Sequence, residues 1–307
     1  MTTHLSSQRK LSAPARREAV AAYLFILPWL LGLLIFTLGP IVAAFYFSLT
    51  DFQVVKAPVF IGWQNFQQLF GDRLFWQALK VTCIYVFVST PLGLVLSFAV
   101  ALLMNQKVRL VGLWRTIYYL PTLVPVIAST MLWLWIFNPE FGLFNTILRY
   151  FGIDGPLWLG HSQWALPSLI IMSLWTVGGP MLIYLAGLQG IPTDLYEAAD
   201  VDGAGRWAKF WAVTIPMMTP VIFFNLVMNM IAAFQVFVQA FVMTDGGPRY
   251  ATLFYVLYLY QNAFKFFRMG YASALAWVLF LIILFFTALV IRSSALWVFY
   301  EGELKRR

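Results

Sequence analysis

Residues 197–216 read EAADVDGAGRWAKFWAVTIP, and the reading of this stretch decides how the whole chain is understood. It sets three carboxylates, two cations and two glycines between runs that are almost wholly apolar. Just upstream, Pro192 and Thr193 open the segment, and Thr193 is the expected N-cap. Asp194 and Glu197 fall in or just after the first turn, where negative charge complements the helix dipole. Ala198 and Ala199 leave a small, smooth helix surface. Asp202-Gly203 is a turn signal, and Gly203 is expected to take the left-handed backbone that stops the helix. A second short helix then carries Trp207, Phe210 and Trp211 on an apolar side, with Pro216 at the entry to the next span. A short helix, a glycine corner and an amphipathic helix form an exposed element suited to a groove in a partner.

The surroundings of this element are those of a membrane protein. Of 307 residues, 62% are hydrophobic and 10% charged, against about 45–50% and about 25% in soluble domains. So few charges cannot cover a soluble surface, which makes the lipid bilayer the expected solvent. Thirteen Trp and fourteen Tyr fit the aromatic belts at membrane–water interfaces. The formal charge of +8 is scattered over short loops and termini, so no nucleic-acid partner is expected. Cys83 is the only cysteine, which excludes an intrachain disulfide and a thiolate metal site. His4 and His161 lie in different polar segments and form no cluster, so no metal is expected.

Apolar stretches of about 20 residues mark spanning helices. Six are expected, near 22–47, 81–104, 117–137, 165–189, 217–243 and 270–291, within one membrane domain over 22–291. Residues 1–21 and 292–307 are read as cytoplasmic tails, and 190–216 as a cytoplasmic loop. The first span is too long for a signal-peptide core and is read as an uncleaved anchor. With both termini inside, thirteen basic residues face the cytoplasm and seven the outside, in accord with the positive-inside rule. The aromatic stretch Thr252–Phe267 reads as an interfacial or half-inserted helix. Gly93, Ser97 and Ala101, four residues apart, give the second span a small face for close packing.

No Asp, Glu, Lys or Arg falls within the six spans as drawn. That speaks against a proton relay and against an intramembrane enzyme, which would lack a base; no catalytic residue is expected. Gly203-Ala204-Gly205-Arg206-Trp207-Ala208-Lys209 is not a phosphate loop, since Ala208 precedes the lysine and Phe210 follows it. If the chain transports uphill, the energy must come from another subunit. Within the membrane, Asn225, Asn229, Gln235 and Gln239 fall within roughly 120° of one helical sector at about 100° per residue. Buried amides need partners. They read either as interhelical glue or as the lining of a path for hydroxyl-rich, uncharged ligands. Trp175, Phe234 and Phe237 are candidate stacking faces for sugar rings.

Glu197-Ala198-Ala199, with Asp202-Gly203-Ala204, Trp207, Phe210 and Val213-Thr214-Ile215-Pro216, resembles the EAA signature of permease subunits in binding-protein-dependent ABC importers. The family usually ends the motif in I-x-L-P; V-T-I-P is a mild departure that keeps an aliphatic pair before the proline. Phe36-Thr37-Leu38-Gly39-Pro40, residues 60–66 (FIGWQNF), Thr244-Asp245-Gly246-Gly247-Pro248 and residues 270–275 (GYASAL) are similar to the carbohydrate branch of maltose type. Polyol and glycerol-phosphate importers share these patterns.

The resemblance implies an all-α, polytopic protein of six transmembrane helices with the type I importer permease fold, in a bacterial or archaeal inner membrane. It implies an extracytoplasmic solute-binding protein, a second and usually different permease chain, and two cytosolic ATPase subunits that use ATP and Mg, with no cofactor in this chain. Carried over, Glu197 would make the polar contact with the ATPase, Ala198 and Ala199 would allow close approach, and Asp202 and Gly203 would shape the corner. Asn225, Asn229, Gln235, Gln239 and Trp175 would line the substrate path. A sodium-coupled secondary transporter and a non-transport membrane scaffold are the rival readings.

Overall fold

The computed structural model describes residues 13–54, 56–106 and 109–299. Of the expected tails, residues 1–12 and 300–307, with Arg9, Lys10, Lys305, Arg306 and Arg307, lie outside the described residues, as does the loop residue Lys107, while 13–21 and 292–297 are helical continuations of the outer spans. Four helical stretches are long and apolar enough to cross a membrane: Arg17–Ser48, Arg73–Met104, Arg206–Met243 and Met269–Trp297. Two bent pairs, Val111–Leu123 with Val126–Ile136 and Ala165–Thr176 with Gly178–Gln189, pass the same test together, which gives up to six crossings where each pair counts as one span.

In chain order, α1 (Ala13–Gly32) and α2 (Gly39–Ser48) form the first span. A two-stranded antiparallel hairpin follows, β1 (Thr50–Gln53) and β2 (Lys56–Phe60), then α3 (Gln64–Gly71) and the long α4 (Arg73–Met104). Next come α5 (Val111–Leu123), α6 (Val126–Ile136), α7 (Leu143–Tyr150), α8 (Ala165–Ser173) and α9 (Gly178–Gln189). The 190–216 loop contains α10 (Thr193–Val201) and α11 (Arg206–Lys209). The chain ends with α12 (Ile215–Phe234), α13 (Val238–Met243), α14 (Tyr255–Tyr260) and α15 (Met269–Trp297).

Proline decides where the spans deviate from straight helices. Two wide π turns, Leu33–Leu38 and Phe210–Thr214, each stand just before a proline, Pro40 and Pro216. Proline cannot donate to the turn behind it, and the wider turn accommodates the lost bond. The span expected at 117–137 is a pair that starts at Val111 and bends by 99°. Val124, which precedes Pro125, is extended at φ −72°, ψ 128°, since the proline ring disfavours a helical residue before it. The fourth span bends by 45° at a 3-10 turn, Leu174–Thr176. Beyond it, Gly178 lies so close to the Tyr118 carbonyl that any side chain would collide with it.

Two packed cores lie along the bundle. One joins α4, α6, α14 and α15 through Phe75, Trp133, Phe254, Tyr255, Leu275 and their neighbours. The other joins the far ends of α4, α9 and α12 through Val100, Met104, Met181, Tyr184, Leu188 and Met218. The first span stands off from both. None of its apolar core window is buried, and only its second half meets α15, where Phe45 sets its ring edge-on to Trp277 at 5.1 Å. The segment at 252–267, expected to be interfacial or half-inserted, is packed into protein over its first part and exposes Phe264, Phe266 and Phe267 at its end. Leu253, Phe254, Tyr255 and Leu257 are buried, the Tyr255 amide donates to Thr82 Oγ1 at 2.9 Å, and the Tyr255 hydroxyl donates to the Leu275 carbonyl.

Asp72 ties one end of the bundle together. It caps α4 by accepting from the Leu74 amide at 2.9 Å. The same carboxylate accepts the hydroxyls of Tyr258 and Tyr271, from two other segments. Partial burial works to raise its pKa; the donors from Tyr258, Tyr271 and the backbone outweigh it, so the carboxyl sits below its ordinary value. A depressed folded pKa adds stability above the unfolded value of about 3.9, and that stability is lost as pH falls through the folded pKa. Asp72→Asn keeps the cap and removes the charge. It is expected to destabilise the purified protein by about 1 kcal/mol or more near neutral pH. The gap to the wild type in a thermal melt should close as the pH falls below about 4.

Candidate functional site

Between the two cores lies a cavity of about 480 Å³, walled by α4, the bent pairs α5–α6 and α8–α9, and the break between α12 and α13. Its polar groups are hydroxyls and amides: Tyr85, Ser89, Thr90 and Ser97 from α4, Thr122 and Ser129, Ser173 and Thr176, then Asn229 and Gln239. No Asp, Glu, Lys, Arg or His is among the residues lining it. Half of these hydroxyls are committed to their own backbone, Thr176 by donating to the Ser173 carbonyl at 3.1 Å. Ser97 donates to Gly93, Thr122 to Tyr119 and Ser173 to Ile170, each at 2.6 Å, which is the usual satisfaction of a hydroxyl in a membrane helix. Thr90 differs: its hydroxyl is buried without a partner among the described residues.

The amide sector divides. Asn229 and Gln239 line the cavity. The Asn229 side chain donates to the Asn225 carbonyl at 2.8 Å, which leaves its oxygen and one N–H open. Asn225 is buried away from the cavity and donates to the Val221 carbonyl at 3.0 Å. Gln235 is exposed and turns back to the Ile231 carbonyl. The single-sector expectation fails because the helix does not continue through it. α12 ends at Phe234, Phe237 has φ −136° and ψ −60°, and α13 restarts at Val238. The expected stacking faces are also spoken for. Trp175 meets Trp133 edge-on at 6.0 Å, Phe234 stacks on Phe286, and Phe237 stacks on Phe241. Tyr85 is the aromatic residue that reaches the cavity wall. Gly93 and Ser97 open onto the cavity rather than a close-packed helix, and only Ala101 of that stripe is fully buried in the second core.

The loop at 190–216 forms at the end of the bundle opposite Asp72, against the second core. Pro192, not Thr193, occupies the N-cap of α10, and no side chain caps it. Its far end closes as a Schellman motif: Ala204 N–H donates to the Ala199 carbonyl at 2.9 Å, and Gly203 N–H to the Asp200 carbonyl at 3.0 Å. Gly203 has φ +75°, the left-handed backbone that a side chain would strain. Lys209 reaches back to Asp200 at 2.6 Å and braces the corner. Tyr196 packs against the second core and its hydroxyl meets Thr214 Oγ1 at 2.9 Å, which fastens the loop to the spans. Glu197, Ala198, Asp202 and Gly203 remain exposed and Ala199 half-buried. Val201 and Trp207 stand out at 88% and 77% exposure, an apolar surface beside a carboxylate. The second short helix is only four residues long before the π turn carries it into α12.

A family model described as "Binding-protein-dependent transport system inner membrane component" matches residues 89–296. The chain belongs to this family. It is 41% identical over 308 residues to the "Probable ABC transporter permease protein YesP" of Bacillus subtilis, covering 99% of both chains. It is 36% identical over 278 residues to the "Trehalose/maltose transport system permease protein MalF" of Thermococcus litoralis, covering 90% of this chain and 94% of that one. Among solved structures, a bacterial ABC transporter involved in the import of the acidic polysaccharide alginate superposes with a TM-score of 0.78 at 26% identity, covering 90% of this chain and 96% of that chain. The matched residues 89–296 take in the cavity from Ser89 onward and the whole 190–216 loop, so both belong to the common frame of inner-membrane permeases that work with a binding protein.

The hydroxyls of this permease were not singled out by sequence reasoning, because serine and threonine in apolar helices usually satisfy themselves on the preceding turn. The one signal for Thr90 is its place beside Pro91, at an interruption of the helical ladder. Thr90→Val removes a buried hydroxyl that has no partner. The variant is expected to melt at the wild-type temperature or above it, with a gain of up to about 1–3 kcal/mol, as measured on the purified permease. A lower melting temperature would mean that the hydroxyl is already paired.

Proposed function

We propose that this permease forms part of the membrane path of an ATP-driven importer for a sugar or oligosaccharide. The carrying observation is the cavity: hydroxyls and amides walled by interrupted helices, with no charged side chain lining it. Amides and hydroxyls both donate and accept, as sugar hydroxyls do. A phosphate-bearing solute would call for a cation in the wall, which favours the sugar over glycerol phosphate. The names of the relatives, among them trehalose/maltose, lactose and starch-product permeases, support the same substrate class.

On this reading the loop end of the bundle faces the cytosol and the Asp72 end faces the binding protein. A second permease chain completes the path, and two cytosolic ATPase subunits hold ATP and Mg. Glu197, Ala198, Ala199, Asp202 and Gly203 form the element they grip, with Val201 and Trp207 as apolar contacts beside it. A rigid, well-capped corner suits this task, because it passes movement to α9 and α12 without bending. Sodium coupling would leave this exposed corner without a task.

Two outcomes test the proposal. Asn229→Leu combined with Gln239→Leu should raise the KM for saccharide uptake by roughly tenfold through two lost hydrogen bonds, with assembly intact. Unchanged uptake would assign both amides to helix packing. Gly203→Val should leave insertion intact while ATP hydrolysis ceases to drive uptake, and wild-type transport by that variant would remove the coupling role.

A further inference from the structure

The Asp72 end of the bundle carries a second polar concavity, separate from the cavity between the cores. It measures about 290 Å³ and is walled by Asp51, Gln53, Gln64, Asn65, Gln68 and Arg268, with the Tyr271 ring beside them. A more open concavity of about 520 Å³ adjoins it and shares Gln68 and Arg268. Asp72 and Tyr85, which mark the two sites along α4, are thirteen residues apart, or about 20 Å of helix.

The backbone under this pocket is firmly held. The Asn65 amide donates to the Ser48 and Thr50 carbonyls at 2.8 and 2.9 Å, pinning α3 to the hairpin. Gln53 and Arg268 form an antiparallel bridge that joins the hairpin to the start of α15. Gly270 lets the Thr50 carbonyl approach where any side chain would block it. The Arg268 guanidinium lies 4.5 Å from the centre of the Tyr271 ring, and the Tyr271 hydroxyl is in turn held by Asp72 at 2.8 Å. The wall is therefore set before any ligand arrives.

Apart from Asn65, the charged and amide side chains facing this space are uncommitted. Among the described residues neither Arg268 nor Asp51 has an ion-pair partner, and the side chains of Gln53, Gln64 and Gln68 make no hydrogen bond. A simple anion would meet Asp51, and a simple cation would meet Arg268. A neutral polyhydroxyl ligand satisfies both, accepting from the guanidinium and amide N–H groups and donating to the carboxylate and amide oxygens. The volume is at the lower end of the roughly 300–1,000 Å³ range of small-molecule pockets, enough for one sugar ring.

We infer that this concavity is an outer saccharide subsite, taking one neutral sugar ring on Arg268, Asp51 and the three glutamines, with the adjoining concavity taking the next ring. The saccharide class rests on the importer reading above; the site's separateness rests on its own geometry. It offers a ligand a foothold at the mouth of the path before the cavity between the cores is reached.

The test is equilibrium binding of maltotriose and of trigalacturonate to the purified transport complex without its binding protein. It is measured in the Asn229→Leu/Gln239→Leu background so that the inner cavity is silenced. Maltotriose is expected to bind, and Arg268→Met, which keeps a chain over Tyr271, should weaken it by about tenfold. Gln64→Leu, at an exposed position, should weaken it in the same direction without moving the melting temperature. Unchanged maltotriose binding in both variants overturns the subsite. So does trigalacturonate binding as tightly as maltotriose, or variants that keep maltotriose and lose only the binding protein, which would make this a protein-docking pocket. Failure of the importer reading shows separately, as absence of saccharide uptake by the wild-type complex.

Discussion

A backbone carbonyl released inside a bilayer has no water to turn to, so an interrupted helix is tolerated only where protein or a wet cavity covers the interruption. Three breaks, one in each of the third to fifth spans, meet this condition at one place. The α5–α6 break is flanked by Thr122 and Val126, the α8–α9 bend by Thr176 and Pro180, and the α12–α13 break by Val236 and Gln239. All of these flanking residues line the same cavity, and the continuous α4 closes it with Thr90 and Gly93. The site is less a pocket carved into a bundle than the meeting point of three broken helices against an unbroken one. Its polarity follows from the same cause, because the side chains nearest the breaks are short hydroxyls and amides able to serve a loosened backbone.

The two ends of the bundle answer different demands. At 190–216 the chain presents a small, stiff corner whose stiffness is local, set by a Schellman closure, a left-handed glycine and a short ion pair. At the opposite end rigidity is tertiary, with Asp72 gathering α4, α14 and α15 through two tyrosine hydroxyls. One end is an exposed corner braced from within, and the other a shaped polar surface held from several segments.

This contrast explains what could be read from the sequence. The corner was legible because its chemistry is contained within a dozen residues: Gly203 stops the helix and Asp200 and Lys209 lie close in the chain. The six spans were legible because hydropathy is additive along a segment. The lining of the cavity was not, since it depends on where helices break. A continuous wheel puts Gln235 beside Gln239, whereas the break at Phe237 turns one outward and the other into the cavity. Thr90 was silent because an unpaired hydroxyl is a property of three dimensions. The β1–β2 hairpin and the burial of 252–267 likewise rest on distant partners, Asn65 for the first and Thr82 and Leu275 for the second.

The detachment of the first span has a consequence for how the protein is made. Its first half, α1, lies open to its surroundings, and only α2 packs on the chain, along α15. It can enter the bilayer as an independent unit as soon as it leaves the ribosome. The last helix, synthesised some two hundred residues later, then finds a neighbour already waiting. The bare flank of α1 is left for lipid or for another chain to cover.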